Sequence, residues 1–439
     1  MTLAIETIRT EGLGDSTYVL HHEGVAVIVD PQRDIDRFEA ALDDTGAELR
    51  MVIETHIHND YVSGGLDLSR KTGAELLMPA GAAPVFRHRP AFHNEDIDLG
   101  PLTVRPVHTP GHTPEHTSYV VVVDGRAEAV FSGGSLLVGS AGRTDLLGEE
   151  RAESLARLQY GSVNRLAALA DPVGLYPTHG AGSFCTTSRA GATTSTIGTE
   201  KRSNPVLAYE DEDSFVKGQL AGLVPYPSYY RHMGPINLTG ATEADLTVPV
   251  LDQIPSGVTV VDARPKHKFA EGHLPGALGI ELRDSFGMWV GWLTDHNSPL
   301  LLILDEGQDP QEAARQLARI GYDDIRGVAR NPSEGLVSFR TVGPDEYAEA
   351  ARTGGQILDV RAPNEWETGF VEGAILSYLP HLAQTTPLGL DPSLPVWVAC
   401  GSGYRASIAA GILQDRGFEP VVLATGGAMD VVERKSKDR

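Results

Sequence analysis

The chain has only two cysteines in 439 residues, Cys185 and Cys400. They fall in different predicted domains, so a disulfide framework is not expected and a reducing compartment is favoured. No apolar run approaches the roughly 20 residues that cross a bilayer, and residues 1–10 show no basic stretch followed by an apolar one. The expected location is therefore the cytoplasm, with no membrane partner. Basic residues are scarce, 36 against 59 acidic, for a net charge of −23. That balance argues against nucleic acid and against anionic membrane surfaces. Low-complexity segments are missing as well.

The length suits about three domains, each with its own core. Residues 1–213 alternate β-rich runs (Ser16 to Leu20, Val25 to Asp30, Met51 to Thr55, Tyr119 to Asp124) with helical patterns at Ile35 to Thr45, Gly65 to Thr72 and Arg151 to Leu169. Two sheets flanked by helices are expected. Residues 214–240, with Pro225-Tyr226-Pro227-Ser228-Tyr229-Tyr230, read as a connector packed on a domain surface. Residues 241–335 and 338–435 combine short apolar strands with helices such as Gln311 to Ile320 and Ala406 to Asp415, the pattern of a small parallel α/β sheet. The charged tail, Glu433 to Arg439, is expected to fray.

Cys400 opens the segment Cys400-Gly401-Ser402-Gly403-Tyr404-Arg405, directly after the apolar run Val396-Trp397-Val398-Ala399. A thiol between a buried strand and a Gly-rich turn that leads into a helix sits where backbone N–H groups converge on an anion. It is expected to act as a nucleophile, with Arg405 adding a fixed positive charge. Cys-x4-Arg is one residue shorter than the loop that wraps phosphate in cysteine phosphatases, and the tighter ring suits a single sulfur atom.

A repeat surrounds this segment. Val261-Asp262-Ala263-Arg264 and Gly272 recur as Leu358-Asp359-Val360-Arg361 and Gly369, at a constant offset of 97 residues. A repeat of that length is a duplicated domain. Both copies resemble rhodanese domains, and the Cys400 loop resembles the active-site loop that carries sulfur as a cysteine persulfide. At the same offset the first copy reads Ile303-Leu304-Asp305-Glu306-Gly307-Gln308, with neither thiol nor arginine, so it is expected to be inactive. The Asp-x-Arg elements are expected to support the fold.

The first domain carries Thr55-His56-Ile57-His58-Asn59-Asp60-Tyr61 after a strand. Further on come Thr109-Pro110-Gly111-His112-Thr113-Pro114-Glu115-His116, Phe131-Ser132-Gly133-Gly134-Ser135 and Tyr176-Pro177-Thr178-His179-Gly180. Histidines and carboxylates at strand ends have the chemistry of metal ligands. These elements, in this order, resemble the metallo-β-lactamase superfamily, and within it the glyoxalase-II and persulfide-dioxygenase branch, a likeness strengthened by Gly142-Arg143-Thr144-Asp145. The resemblance implies an αββα fold, and with the two rhodanese copies it resembles bacterial persulfide dioxygenase–rhodanese fusions.

Two positions depart from that pattern. Tyr61 stands where the family has the last histidine of His-x-His-x-Asp-His, and Gly134 stands where it has a carboxylate ligand. Without both, a two-metal site is not expected. The mononuclear set carried over residue by residue retains His56 and His112. His58 is the first candidate to complete it. Asp60, His116 and His179 are the replacements, and a centre that binds no metal is the remaining outcome. Cys185 is a candidate to line the same cleft. Fe(II) is the expected ion, with Zn(II) as the alternative. The resemblance implies a low-molecular-weight persulfide, of glutathione or a similar thiol, as the substrate of the first domain. Thiosulfate or sulfite would be handled at Cys400, and Arg143 would contact an anionic substrate or form an ion pair with a nearby Asp. It also leaves a homodimer as an expectation. The rival readings are a zinc-dependent thioester hydrolase and a first domain without catalysis beside a sulfurtransferase.

Overall fold

The computed structural model describes residues 3–185 and 192–437. The chain divides into two compact units, residues 1–245 with 317–321, and residues 246–316 with 322–439. Among the described residues no helix is long and apolar enough to cross a membrane.

The first unit is built on two six-stranded sheets. In one, strands Ala4–Thr10, Asp15–His22 and Val25–Val29 run antiparallel. From Val25–Val29 the sheet continues parallel through Glu48–Ile53, Glu75–Pro79 and Arg89–Ala91. Side chains alternate across a strand, and the sequence uses both faces. Tyr18, Leu20, Val27, Val29, Met51 and Ile53 pack inward against Tyr119, Val121 and Phe131 of the second sheet. Val19, Ile28 and Val52 face outward and pack with Phe38 of helix Asp36–Thr45 and Leu68 of helix Gly65–Thr72. The outer face of the second sheet is covered by helix Glu149–Ala167 through Ala156, Val163 and Leu166. The result is the expected αββα sandwich, and the loops at the strand ends carry the histidine motifs.

Residues 214–240 are more ordered than a connector. Helix Glu212–Ala221 packs Phe215 into the core of the first unit, and helix Tyr230–Thr239 follows. Asn237 on that second helix donates to the carbonyls of His58 and Tyr61, both at 2.8 Å, and accepts from Ser63 N–H at 2.8 Å.

The second unit holds two parallel sheets. In the first the order is Leu278–Gly279, Thr259–Asp262, Leu300–Leu304, Ile325–Arg330. In the second it is Arg340–Val342, Pro420–Leu423, Val396–Ala399, Gln356–Asp359, Ile375–Leu376. The strand-end pairs do the same work in both copies. Arg264 grips Asp262 (2.9 and 2.6 Å) and the Gly272 carbonyl (2.8 Å), and Arg361 grips Asp359 (2.7 Å) and the Gly369 carbonyl (2.7 Å). The register corrects the equivalence of the two copies by one position. Asp262 pairs with Ile303 and Asp359 with Ala399, so Leu304, not Ile303, takes the place of Cys400. The loop that follows, Asp305-Glu306-Gly307-Gln308, still has no thiol and keeps its acidic residues. At the end of the chain, helix Ala428–Lys437 runs through the segment expected to fray, and Asp438 and Arg439 lie outside the described residues.

Candidate metal centre and thiol loop

Five histidines meet at the strand ends of the first unit: His56, His58, His112, His116 and His179, each almost fully buried. His56 is at the centre, its ring centroid 4.2 to 5.3 Å from the other four. Their second nitrogens decide their roles, because an imidazole binds metal through the nitrogen its hydrogen bonds leave open.

His112 Nδ1 donates to the Arg143 carbonyl at 2.7 Å. His179 Nδ1 donates to Asp15 at 2.8 Å and lies 3.2 Å from Asp60. The Thr55 hydroxyl donates to Asp30, so His56 Nδ1 donates to Thr55 Oγ1 at 2.8 Å. Each of the three is left with Nε2. His56, His112 and His179 have ligand atoms all within 4.8 Å of one another, and His56 Nε2 is 3.3 Å from His179 Nε2. Nitrogens bound at 2.0–2.1 Å in a tetrahedral shell are separated by about 3.3–3.4 Å, so the spacing is that of ligands to one ion.

The other two histidines are engaged differently. His116 uses both nitrogens, accepting from Gly134 N–H at 2.9 Å and bonding Thr109 Oγ1 at 2.9 Å, so it has none to offer. His58 Nε2 is taken by Glu54 at 3.0 Å, Asp30 at 3.2 Å and Tyr61 Oη at 3.1 Å. Tyr61, in place of the expected histidine, stacks on the His58 ring at 4.3 Å and donates to the Asp30 carbonyl. The first candidate for the third ligand, His58, is thus drawn to carboxylates through one nitrogen, while its Nδ1 is buried without a partner. The Nε2 that faces His56 and His112 belongs to His179.

Gly134 explains how His112 fits. A Cβ at this position would lie 2.2 Å from His112 Cδ2 and 2.8 Å from His112 Nε2. The ring occupies the space that a side chain at 134 would need. Gln159 on helix Glu149–Ala167 fixes the same loop, accepting from His112 N–H at 2.8 Å and donating to the Ser135 carbonyl at 2.7 Å.

The electrostatics suit a cation. Burial pushes His56 well below the ordinary histidine value and, together with His179, lowers His112 to about 3, so both are neutral ligands. Burial also works against charge on His179, but Asp60 and Asp15 outweigh it and raise the ring to about 10. Burial and the neighbouring Asp60 raise Asp15 to about 7. Asp15 and Asp60 lie against each other beside the three histidines, and Asp15 Oδ2 and Asp60 Oδ1 are buried without an N–H or hydroxyl donor. Two buried carboxyl groups in contact are costly unless a proton or a cation lies between or beside them. The residues present therefore fit a metal ion, and the αββα fold with this His/Asp cluster supports one.

Two other expected residues take structural places. Arg143 is 3% exposed. It binds Asp145 through two nitrogens at 2.7 Å and the carbonyls of Phe184 and Val224 at 2.9 Å, and it lies 4.5 Å from the Tyr226 ring. With its guanidinium so committed, the expected substrate contact gives way to the ion pair with Asp145. Arg143 serves the centre through its backbone, which holds His112. Cys185 does reach the cluster, as a buried thiol 3.4 Å from Asp60 Oδ2, and burial raises it well above the ordinary thiol value. A cleft of about 530 Å³ is lined by sequence neighbours of the histidines, Ile57, Asn59, Thr113 and Glu115, together with Leu146 and Arg231.

In the second unit Cys400 follows strand Val396–Ala399 and precedes helix Tyr404–Asp415. The loop carbonyls all turn away from its centre. The Cys400 carbonyl accepts from Ala428 N–H at 2.8 Å, that of Gly401 packs on Gly427, that of Ser402 accepts from Lys266 Nζ at 2.6 Å, and that of Gly403 accepts from Ser407 N–H at 3.0 Å. Among the described residues, the N–H groups of Gly401, Ser402, Gly403, Tyr404 and Arg405 donate to no protein acceptor. A ring of outward carbonyls with undonated N–H groups is an anion cradle. Gly403 is required in it: φ is +80°, and a Cβ would lie 2.8 Å from the Ala424 carbonyl oxygen. Arg405 is not a free cation, because its guanidinium pairs with both carboxylate oxygens of Glu365, one at 2.8 Å. Burial raises Glu365, but Arg405 outweighs it and holds the carboxyl below its ordinary value. No motif in the sequence marks Glu365, Asp15, Asp30 or Lys266, which act through partners far along the chain.

Family comparisons agree with this architecture. Residues 10–179 match the metallo-β-lactamase superfamily, and residues 249–329 and 343–434 match the rhodanese-like domain. The chain is 30% identical over 208 residues to a probable metallo-hydrolase of Burkholderia pseudomallei (strain 1710b), a match covering 41% of this chain and 68% of the relative. It is 31% identical over 154 residues to a hydroxyacylglutathione hydrolase of Methylobacillus flagellatus, covering 35% of this chain and 56% of that one. The crystal structure of a metallo-β-lactamase from Staphylococcus aureus subsp. aureus COL is similar with a TM-score of 0.70 and 28% identity, over 75% of this chain and 99% of that one. The chain belongs to the metallo-β-lactamase superfamily, with two rhodanese-like domains following the metal-binding domain.

Proposed function

We propose that the chain oxidises a low-molecular-weight persulfide at the histidine centre and transfers sulfur through Cys400. The observation that carries the first half is the set of three histidine Nε2 atoms with no carboxylate at position 134. It favours one ion with open positions over a bridged pair. An Fe(II) ion held by His56, His112 and His179 would supply adjacent open positions for a persulfide and dioxygen. The overall change is RSSH + O2 + H2O to RSH, sulfite and protons, in which the sulfane sulfur is oxidised and dioxygen reduced. Asp15 and Asp60 hold His179 through Nδ1, and the free Oδ1 of Asp60 is placed to hold a proton. The cleft lined by Ile57, Asn59, Thr113 and Glu115 has a volume suited to a small thiol.

At Cys400 the thiolate attacks the outer sulfur of thiosulfate. A Cys400 S–S bond forms, the S–S bond of thiosulfate breaks, and its electron pair leaves on sulfite. The undonated loop N–H groups stabilise the charge on the terminal sulfur. A second thiol then takes that sulfur and restores the Cys400 thiolate.

Oxygen uptake by iron-supplied protein given glutathione persulfide tests the first half. Uptake matched by sulfite supports it. No uptake by protein that holds no iron leaves the function with Cys400. Stoichiometric zinc with hydrolysis of a glutathione thioester turns the reading to the hydrolase. For the second half, Cys400→Ser should abolish transfer from thiosulfate and leave oxygen uptake intact. Persistence of transfer would refute the assignment.

A further inference from the structure

The first rhodanese copy has no nucleophile, yet it reaches the Cys400 loop of the second. Lys266, half-buried at the start of helix Lys266–Glu271, donates from Nζ to the Ser402 carbonyl at 2.6 Å and to the Ala424 carbonyl at 2.9 Å. Arg283 of the same copy lies 4.6 Å from the ring of Tyr404, whose hydroxyl faces the Glu281 carbonyl at 3.4 Å.

The Ser402–Gly403 peptide is the one that needs holding. The carbonyls of Cys400 and Gly403 are bound by backbone N–H groups of their own domain, and that of Gly401 is packed on Gly427. Among the described residues the Ser402 carbonyl has only Lys266 as a donor. It precedes Gly403, whose lack of a side chain lets the peptide plane turn over at little cost. Gly403 also lies against the Ala424 carbonyl, so two carbonyl oxygens converge there with their partial negative charges. The ammonium binds both. Because a peptide's N–H points opposite to its C=O, holding the Ser402 oxygen outward keeps the Gly403 N–H directed into the cradle.

We propose that Lys266 is a positioning residue for the Cys400 loop, and that this is the function of the nucleophile-less copy: it locks the Ser402–Gly403 peptide with its N–H toward the sulfur anion. The inference rests on the cradle and, for its catalytic consequence, on the sulfurtransferase reading. Removing one oxyanion-type donor slows catalysis by about 100-fold or more, and a peptide that is merely released loses part of that. Lys266→Met in the full chain is therefore expected to lower kcat/KM for thiosulfate by about tenfold or more.

A second readout does not depend on turnover. Alkylation of Cys400 by anionic iodoacetate, relative to neutral iodoacetamide, should fall in Lys266→Met. The fall should persist at about 0.5 M salt, where the field of one lost surface charge is screened. Lys266→Arg should recover part of both, and Lys268→Met, which removes a charge from the same helix that pairs with Asp305, should leave both unchanged. If Lys266→Met does not fold, Lys266→Gln should show a smaller loss in the same direction. Unchanged alkylation selectivity in the Lys266 variants, a loss that vanishes at high salt, or an equal loss in Lys268→Met overturns the proposal. If the wild type transfers no sulfur but the alkylation ratio still falls in Lys266→Met, the clamp stands and the sulfurtransferase reading fails.

Discussion

Replacing Gly134 by alanine should expel the metal by displacing His112. The added Cβ would sit 2.2 Å from His112 Cδ2 and 2.8 Å from Nε2, where ordinary contacts begin near 3.4 Å. The ring must retreat by more than 1 Å, a difference read from those distances. Its retreat is opposed by the 2.7 Å bond from Nδ1 to the Arg143 carbonyl and by Gln159 on its N–H. Metal–ligand distances tolerate about ±0.2 Å, so His112 would cease to bind well. Loss of an orienting partner alone weakens metal by about 10–100-fold, and displacement of the ligand itself should cost at least that. The overpacking should also lower stability by about 1–3 kcal/mol. The assay is iron and zinc content after loading, with affinities from chelator competition and the fold checked by circular dichroism. Gly161→Ala is the control, since its Cβ meets nothing within 4 Å on a helix of the same domain, and it should bind metal as the wild type does. Gly134→Ala with wild-type affinity would refute the placement of His112, and a wild type that binds no metal would refute the three-histidine centre.

Glu365→Gln should leave Arg405 uncompensated and lower the KM for thiosulfate without raising kcat; an unchanged or higher KM would sink the idea that Glu365 balances the loop charge. The same pair has a pH signature. The folded carboxyl of Glu365 is held below its ordinary value of 4.5, so its contribution to stability is present above about pH 4.5 and fades as pH falls through the depressed value. The wild type's advantage in thermal midpoint over Glu365→Gln should be constant near neutrality and disappear in acid. Asp359→Asn leaves Arg361 buried, 2% exposed, without its counter-charge, and should destabilise the second rhodanese copy by about 3–5 kcal/mol in denaturant titration. A cost under about 1 kcal/mol would place that pair among surface ion pairs instead.

Much of the fold could be read from the chain because it depends on local pattern. Helix Gly65–Thr72 and strands Asp15–His22 and Thr117–Val123 lie where the apolar periodicity puts them, within a residue or two. The Cys400 loop was legible for a similar reason: strand, glycine turn and helix are consecutive. What spacing could not show is the direction of a ring. His58 and His179 are both histidines at strand ends, and their roles differ through acceptors far along the chain. Asp15 is 164 residues from the His179 it orients, and Asp30 is 28 from the His58 it draws away. Segment 214–240 misled because two short helices, one containing Pro235, have weak periodicity, although Asn237 on the second ties down the His58–Tyr61 loop.

The two departures from the family motif are physically linked to this rearrangement. Gly134 removes a carboxylate, and the same absence of a side chain makes room for the His112 ring. Tyr61 removes an imidazole, and its ring and hydroxyl hold His58 against Asp30 and Glu54. Burial lowers His58, but Asp30 outweighs it and keeps the ring well above its ordinary value, and its Nε2 is held by Glu54 and Asp30 rather than turned toward His56 and His112. His179, braced by Asp15 and Asp60, then supplies the third nitrogen. Restoring either family residue alone should therefore fail to rebuild the family's site. Tyr61→His would place another imidazole beside a His58 already held by Glu54 and Asp30, and Gly134→Asp would drive His112 away. Each is expected to lower metal content rather than raise it toward two ions per chain, and two bound ions in either single variant would show that the substitutions are independent losses.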